Sequence, residues 1–161
     1  MTFSPLANVI ARVGKVFAWD PYPIQAALSN GLLPIIHGDV AFDKTRGGTI
    51  LSTEDLFAYL ALDLHPDAIL LAGLETGVWS DFPGRENLLG DITPDDISIL
   101  ASHLGPANGT DVTGGMYSKV TGMLALVKEI PDLQIWIFSG EQSGNIQRAL
   151  LGYNPGTCLH R

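Results

Sequence analysis

Several short segments of this chain have residue types and spacing that could do chemistry. The richest is Asp111-Val112-Thr113-Gly114-Gly115-Met116-Tyr117-Ser118-Lys119. Two glycines at the start of a long amphipathic helix let backbone N–H groups approach a phosphate. The helix dipole favours negative charge there, and a lysine in the first turn reaches the same anion. A plain helix start, with Thr113 as N-cap and Lys119 in solvent, accounts for the same residues, and the segment lacks the Gly-Lys-Ser/Thr ending of a Walker loop. Asp55, inside the first turn of another helix, serves either as a cap or as a carboxylate that holds lysine ammonium groups around a transferring phosphoryl group. Spacing does not choose between the two. Gly38-Asp39 follows an apolar run, where a simple turn and a ligand loop fit equally. Trp79, in a loop after a strand, either packs as a rim aromatic or lines a purine.

Other chemistries find little support. His37, His65, His103 and His160 have no metal-ligand spacing with one another or with Cys158, so no metal site made of protein ligands is expected. There is no Gly-x-Ser-x-Gly elbow and no Cys/His pair for covalent catalysis. The lone Cys158 sits in an apolar context and reads as a packing residue.

The elements that must position these residues are punctuated by glycine and proline. Residues 8–19 alternate around Gly14-Lys15 and read as a hairpin. Pro23 to Ser29 forms a short helix that Asn30-Gly31 stops. Leu32 to His37 is expected to be a buried parallel strand, and Val40–Phe42 with Thr49–Leu51 a second hairpin. Ser52-Thr53-Glu54-Asp55 then caps a helix whose Leu56, Phe57, Leu60 and Leu64 fall at helical spacing. Asp67 to Gly73 is the next buried strand, followed by a Gly/Pro-rich loop and a helix near Pro94 to His103. A long helix over Gly114 to Glu129 turns Met116, Val120, Met123, Leu124 and Val127 to one face. Leu133 to Phe138 is a third apolar strand, Gly144 to Leu151 a short helix, and Gly156 to Leu159 an edge strand. The order implies an α/β three-layer sandwich with a mainly parallel sheet, whose strand-end turns at Gly38-Asp39, Gly73 with Gly77, and Ser139-Gly140 face one crevice.

The 161 residues, 46% of them hydrophobic, suit a single domain over 1–161 with a sizeable core. The formal net charge of −8 speaks against a general nucleic-acid or membrane-surface binder, which needs a basic stripe. The longest apolar runs, such as Ala68 to Leu74, are far short of the roughly 20 residues that cross a bilayer, and no secretory signal pattern opens the chain, so a cytoplasmic location is expected.

Taken in order, the segments resemble the C-terminal two thirds of the amino acid kinase superfamily, most closely the isopentenyl phosphate kinases. The resemblance is carried by Phe3-Ser4-Pro5, Pro23 to Leu28, Pro34-Ile35-Ile36-His37-Gly38-Asp39-Val40-Ala41-Phe42-Asp43 and Ile50 to Asp55. It continues through Gly77-Val78-Trp79, Asp111 to Met116 with Lys119, Gly144-Asn145 with Arg148 to Leu150, and Gly156-Thr157. It implies ATP-dependent phosphorylation of isopentenyl phosphate to isopentenyl diphosphate, with Mg²⁺ carried on the nucleotide. By position, Gly38 and Asp39 fall at the phosphate acceptor, and Asp55 falls where the superfamily places a carboxylate that organises two lysines. Gly114, Gly115 and Lys119 fall at the ATP phosphates, and Gly77, Val78 and Trp79 beside adenine and ribose. Asp55 and Lys119 are the implied catalytic pair.

Two departures stand out. Leu74 occupies a position that carries an acid in much of the family, with Glu75 one residue along. Met1 aligns well inside the family pattern, so the fold is expected to be incomplete at the N-terminus. The missing third holds a Lys-x-Gly-Gly-Ser phosphate loop and a Gly-Gly-Gly segment followed by a histidine, and nothing in this chain replaces them. A weak or inactive kinase is therefore the expectation for the chain alone. Its expected partners are ATP, a small phosphate acceptor, a second copy in a homodimer, and a separate N-terminal half. A different small acceptor, such as a phosphonate or carboxylate, and a non-catalytic nucleotide-binding module are the alternatives.

Overall fold

A computed structural model describes residues 1–98 and 115–161. Their contacts divide the chain into two compact units, Met1–Leu64 and His65–Arg161.

In the first unit, α1 (Pro5–Asn8) leads into a hairpin of β1 (Val9–Arg12) and β2 (Lys15–Trp19). Then come α2 (Tyr22–Ser29), a second hairpin of β3 (Asp39–Asp43) and β4 (Gly47–Leu51), and α3 (Thr53–Leu64). The sheet order is β2-β1-β3-β4, with β1 and β3 parallel and the two hairpins antiparallel. Val9, Ala11, Trp19, Ala41 and Leu51 turn to one face of the sheet and bury against Ile24 of α2 and Leu56 and Leu60 of α3. The two leucines lie four apart, one helical turn, so both meet the sheet, and each contributes roughly 1.5–3 kcal/mol on burial. Ser52 caps α3: its Oγ accepts the Asp55 N–H at 3.0 Å and donates to Asp55 Oδ2 at 2.9 Å.

One buried carboxylate fixes both hairpin turns. Asp43, 4% exposed, closes β3. Its oxygens accept N–H groups of Val13 (3.2 Å) and Gly14 (2.7 Å) in the β1–β2 turn, and of Thr45 (2.7 Å) and Arg46 (2.9 Å) in the β3–β4 turn. Val13 and Gly14 both have positive φ, a conformation a turn this tight requires. Burial pushes the Asp43 pKa up, and the four backbone donors outweigh that and hold it down at about 2.

The Leu32–His37 run is not the buried strand expected from its composition. Pro34 removes a ladder donor, and pairing reduces to a single parallel bridge between Ile35 and Thr2, with Leu33 75% and Ile35 52% exposed.

In the second unit, β5 (Ala68–Gly73), the short pair β6 (Val78–Trp79) and β7 (Leu88–Leu89), and β8 (Asp91–Ile92) precede a 3₁₀ turn at Pro94–Asp96. The helix expected over Pro94 to His103 opens with that turn, and its part beyond residue 98 lies outside the described residues. After it come α4 (Gly115–Glu129), β9 (Gln134–Ser139), α5 (Asn145–Leu150) and β10 (Thr157–Leu159). The sheet order is β5-β9-β10-β8, with β5 and β9 parallel from Ala68↔Gln134 to Gly73↔Ser139. β10 runs antiparallel to β9 and parallel to β8. Val120, Met123, Leu124 and Val127 of α4 are buried, as their spacing predicts, with Met116 half-buried.

β10 is not an edge strand. β8 pairs along its far side, where Cys158 N–H donates to Gly90 O at 2.8 Å, so Thr157, Cys158 and Leu159 are all buried. Burial also pushes the Cys158 thiol up to about 11, in keeping with a packing role. Both units are α/β, as expected, and their sheets mix parallel with antiparallel pairs. Among the described residues no helix is long and apolar enough to cross a membrane.

The Asp43 latch has a measurable signature. Its folded pKa of about 2 lies below the ordinary 3.8, so the stability it contributes is present above that ordinary value and is lost as pH falls toward the folded one. Thermal melts from about pH 5 downward should therefore show Tm falling with pH. Asp43→Asn should melt lower at neutral pH and show a flatter profile across the same window; an unchanged profile contradicts the latch.

Candidate functional site

The first unit brings several of the expected residues together. Gly38 sits where the chain enters β3 and lies against the start of α3, its N–H donating to Thr53 Oγ1 at 2.9 Å. A Cβ at Gly38 would lie 2.9 Å from Leu51 O and 3.0 Å from Thr53 N, so the close approach needs glycine. Asp39 opens β3 opposite Leu51, and its Oδ1 accepts the Val40 N–H at 2.7 Å.

Asp55 is both a helix-capping residue and a cation-holding one. Oδ2 accepts from Ser52 Oγ, and Oδ1 accepts from Lys15 Nζ at 2.7 Å. Partial burial pushes the Asp55 carboxyl up, but the hydrogen bonds from Lys15 and Ser52, with the charge of Lys15, outweigh it and hold the group below its usual range. Asp55 is therefore an anion at neutral pH with both oxygens engaged. Sequence spacing marks Gly14-Lys15 only as a turn and gives Lys15 no role at the site. The available signal was that the four Lys and Arg residues of 1–64, Arg12, Lys15, Lys44 and Arg46, all flank the two hairpin turns in an otherwise acidic chain.

The second unit holds the residues expected at the nucleotide. Gly77 packs so closely on β10 that a Cβ would lie 2.5 Å from Thr157 Oγ1 and 3.0 Å from Leu88 Cδ1. Thr157 Oγ1 in turn accepts the Val78 N–H at 2.8 Å and donates to Leu89 O at 2.6 Å, pinning the short β6–β7 pair, and Gly77 before it, to β10; Val78 and Trp79 are thus strand residues rather than the loop expected. The Trp79 indole donates to Glu75 Oε2 at 3.2 Å, and Arg85 donates to both oxygens of the same carboxylate, at 2.6 and 3.0 Å. The Arg85 bonds lead in holding the Glu75 carboxyl below its usual range. Glu75 thus orients the Trp79 ring, while Leu74 is exposed.

Gly115 opens α4 with φ of +66°, a left-handed start that favours glycine, and half-buried Lys119 follows one turn on. Asp111, Thr113 and Gly114 lie outside the described residues. The strand-end turns at Gly73 and at Ser139-Gly140 stand side by side, Gly140 N–H donating to Gly73 O at 2.8 Å. The Gly38-Asp39 turn belongs to the first unit. Asp55 and Lys119 lie in different units, each positioned by its own.

The model of the amino acid kinase family matches residues 2–139. The chain is 34% identical over 144 residues to an isopentenyl phosphate kinase of Methanocaldococcus jannaschii, a match that covers 89% of this chain and 52% of that protein. It is 38% identical over 137 residues to the one from Haloferax volcanii, covering 84% of this chain and 49% of that protein. A solved structure of isopentenyl phosphate kinase superimposes with a TM-score of 0.81 at 26% identity, over 99% of this chain and 58% of that one. The chain thus spans about half the length of the relatives it matches. With the family model matching most of its length, the chain belongs to the amino acid kinase family.

Proposed function

We propose that this chain carries the acceptor-binding and nucleotide-binding residues of an ATP-dependent kinase that converts isopentenyl phosphate to isopentenyl diphosphate. The observation that carries this reading is the match, along most of the chain, to isopentenyl phosphate kinases of two organisms. In this reading the expected residues divide the work. Gly38 and Asp39 take the acceptor, Asp55 orders cations around phosphate, Gly77, Val78 and Trp79 take adenine and ribose, and Gly114, Gly115 and Lys119 take the ATP phosphates.

The reaction is a displacement in which a terminal oxygen of the acceptor phosphate attacks the γ-phosphorus of ATP. The new P–O bond forms as the bond from that phosphorus to the β–γ bridging oxygen breaks, and ADP leaves with its electron pair. The protein's part is to hold two anionic groups against each other and to neutralise charge on the transferred group. That is work for lysine ammonium groups and helix-start N–H groups rather than for a covalent nucleophile. Mg²⁺, if carried in on the nucleotide, would supply further neutralisation of the ATP phosphates. Among the described residues no group of three or more His, Cys, Asp or Glu is placed to hold a metal by itself. Because the relatives are about twice as long as this chain, turnover is best tested in a protein of their length.

The direct test joins the N-terminal portion of the Methanocaldococcus jannaschii relative to this chain and follows phosphate transfer from ATP to isopentenyl phosphate. Transfer is expected, and Lys119→Ala should lower kcat by about 10²-fold or more, the usual loss for one preorganised charge-stabilising group. Undiminished turnover in that variant removes Lys119 from the mechanism. In the same protein Gly38→Ala forces the loop off backbone atoms of Leu51 and Thr53, an overpacking that costs about 1–3 kcal/mol. Its KM for isopentenyl phosphate should rise while its KM for ATP holds; equal rises in both contradict the acceptor role.

A further inference from the structure

We infer that Lys15 is a further binding residue for the acceptor, its ammonium meeting the phosphate monoester at the Gly38 end of the first unit. This rests on the acceptor reading of Gly38 and Asp39 given above. Contacts link the residues without a gap: Lys15 Nζ to Asp55 Oδ1 at 2.7 Å, Asp55 Oδ2 to Ser52 Oγ at 2.9 Å, and Thr53 Oγ1, the next residue's hydroxyl, to Gly38 N at 2.9 Å. A dianionic phosphate brought to Gly38 therefore comes up beside the Asp55 carboxylate, and the repulsion needs a cation held at that place.

Lys15 is the lysine or arginine of this unit in a position to supply it. Arg12 and Lys44 sit on the Phe17 ring, at 4.0 and 4.7 Å from its centroid, and the Arg46 guanidinium lies against Gly14. Lys15 alone among these four has its cationic group on Asp55. Its side chain is 76% exposed, and of its three N–H donors the carboxylate takes one, so the others face solvent where an anion arrives. The hairpin that presents Lys15 is held at its turn by Asp43, so the base of this long side chain is fixed while its tip can reach. An exposed ion pair of this kind adds little to stability, which leaves ligand binding as the role its geometry serves.

Calorimetric titration of the joined protein with isopentenyl phosphate and with inorganic phosphate tests the assignment, using wild type, Lys15→Gln, Lys15→Arg and Arg12→Gln. Lys15→Gln should bind isopentenyl phosphate about tenfold or more weakly, the loss of one charge-assisted hydrogen bond. Lys15→Arg should recover most of that affinity, and Arg12→Gln should stay within about twofold of wild type. Acetylation of the Lys15 amine should also slow when isopentenyl phosphate is present, a readout that needs no substitution. Wild-type binding with equal affinity in Lys15→Gln, or no protection of the amine, overturns the role of Lys15 and leaves the acceptor reading standing. Failure of the wild type to bind isopentenyl phosphate overturns both.

Discussion

The order of the first unit depends on the Asp43 carboxylate. A buried anion is costly unless donors surround it, and here four backbone N–H groups from two different turns do so. The interaction is reciprocal: the turns satisfy the charge, and the charge holds two hairpins in one sheet even though the β1–β3 pairing between them is only two residues long. From that latch the geometry propagates outward. The β1–β2 turn places Lys15, Lys15 meets Asp55, Asp55 shares the capping hydroxyl of Ser52, and the start of α3 receives the Gly38 loop. A helix cap, a turn and a candidate phosphate site are parts of one hydrogen-bonded run.

The second unit solves a similar problem with different chemistry. Thr157, buried in the middle of its sheet, uses one hydroxyl as both donor and acceptor to join β10 to the start of β6 and to the end of β7. The glycine at 77 is what permits the approach, since any side chain would collide with that hydroxyl. Glu75 then fixes the Trp79 ring through its indole N–H, with Arg85 balancing the charge. Positioning an aromatic ring by a paired carboxylate gives a rigid wall, a property that a flat heterocyclic ligand can use.

Features governed by local chemistry were legible in the sequence. The Gly14-Lys15 turn, the Asn30-Gly31 stop, the Ser52 to Asp55 cap and the one-sided α4 follow from neighbours within a few residues, and each lies where its residues predict. Features decided by distant partners were not. Leu32–His37 has the composition of a buried strand, but a strand needs partners along its length, and Pro34 and a lone bridge to Thr2 do not supply them. β10 looks like an edge because three residues at the end of a chain carry no sign that β8 will cover them. The Lys15–Asp55 pair spans 40 residues of sequence, so no spacing rule reaches it. The expected site positions came from resemblance to a family, because spacing alone left Asp55, Lys119 and Gly38-Asp39 with ordinary structural explanations. The structure adds that Asp55 holds a lysine and that Gly38 and Gly77 each fill a place where a side chain does not fit.

The central claim is that the first unit receives the acceptor phosphate and the second receives the nucleotide. A crystal structure of the chain with isopentenyl phosphate, Mg²⁺ and a non-hydrolysable ATP analogue tests it most directly. The account predicts the acceptor phosphate against the Gly38-Asp39 turn of the first unit, and nucleotide phosphates at about hydrogen-bond distance, roughly 2.7–3.2 Å, from Gly115 N and Lys119 Nζ, with the adenine against Trp79. Ligands bound at other residues of the two units, or no binding of either, would contradict it.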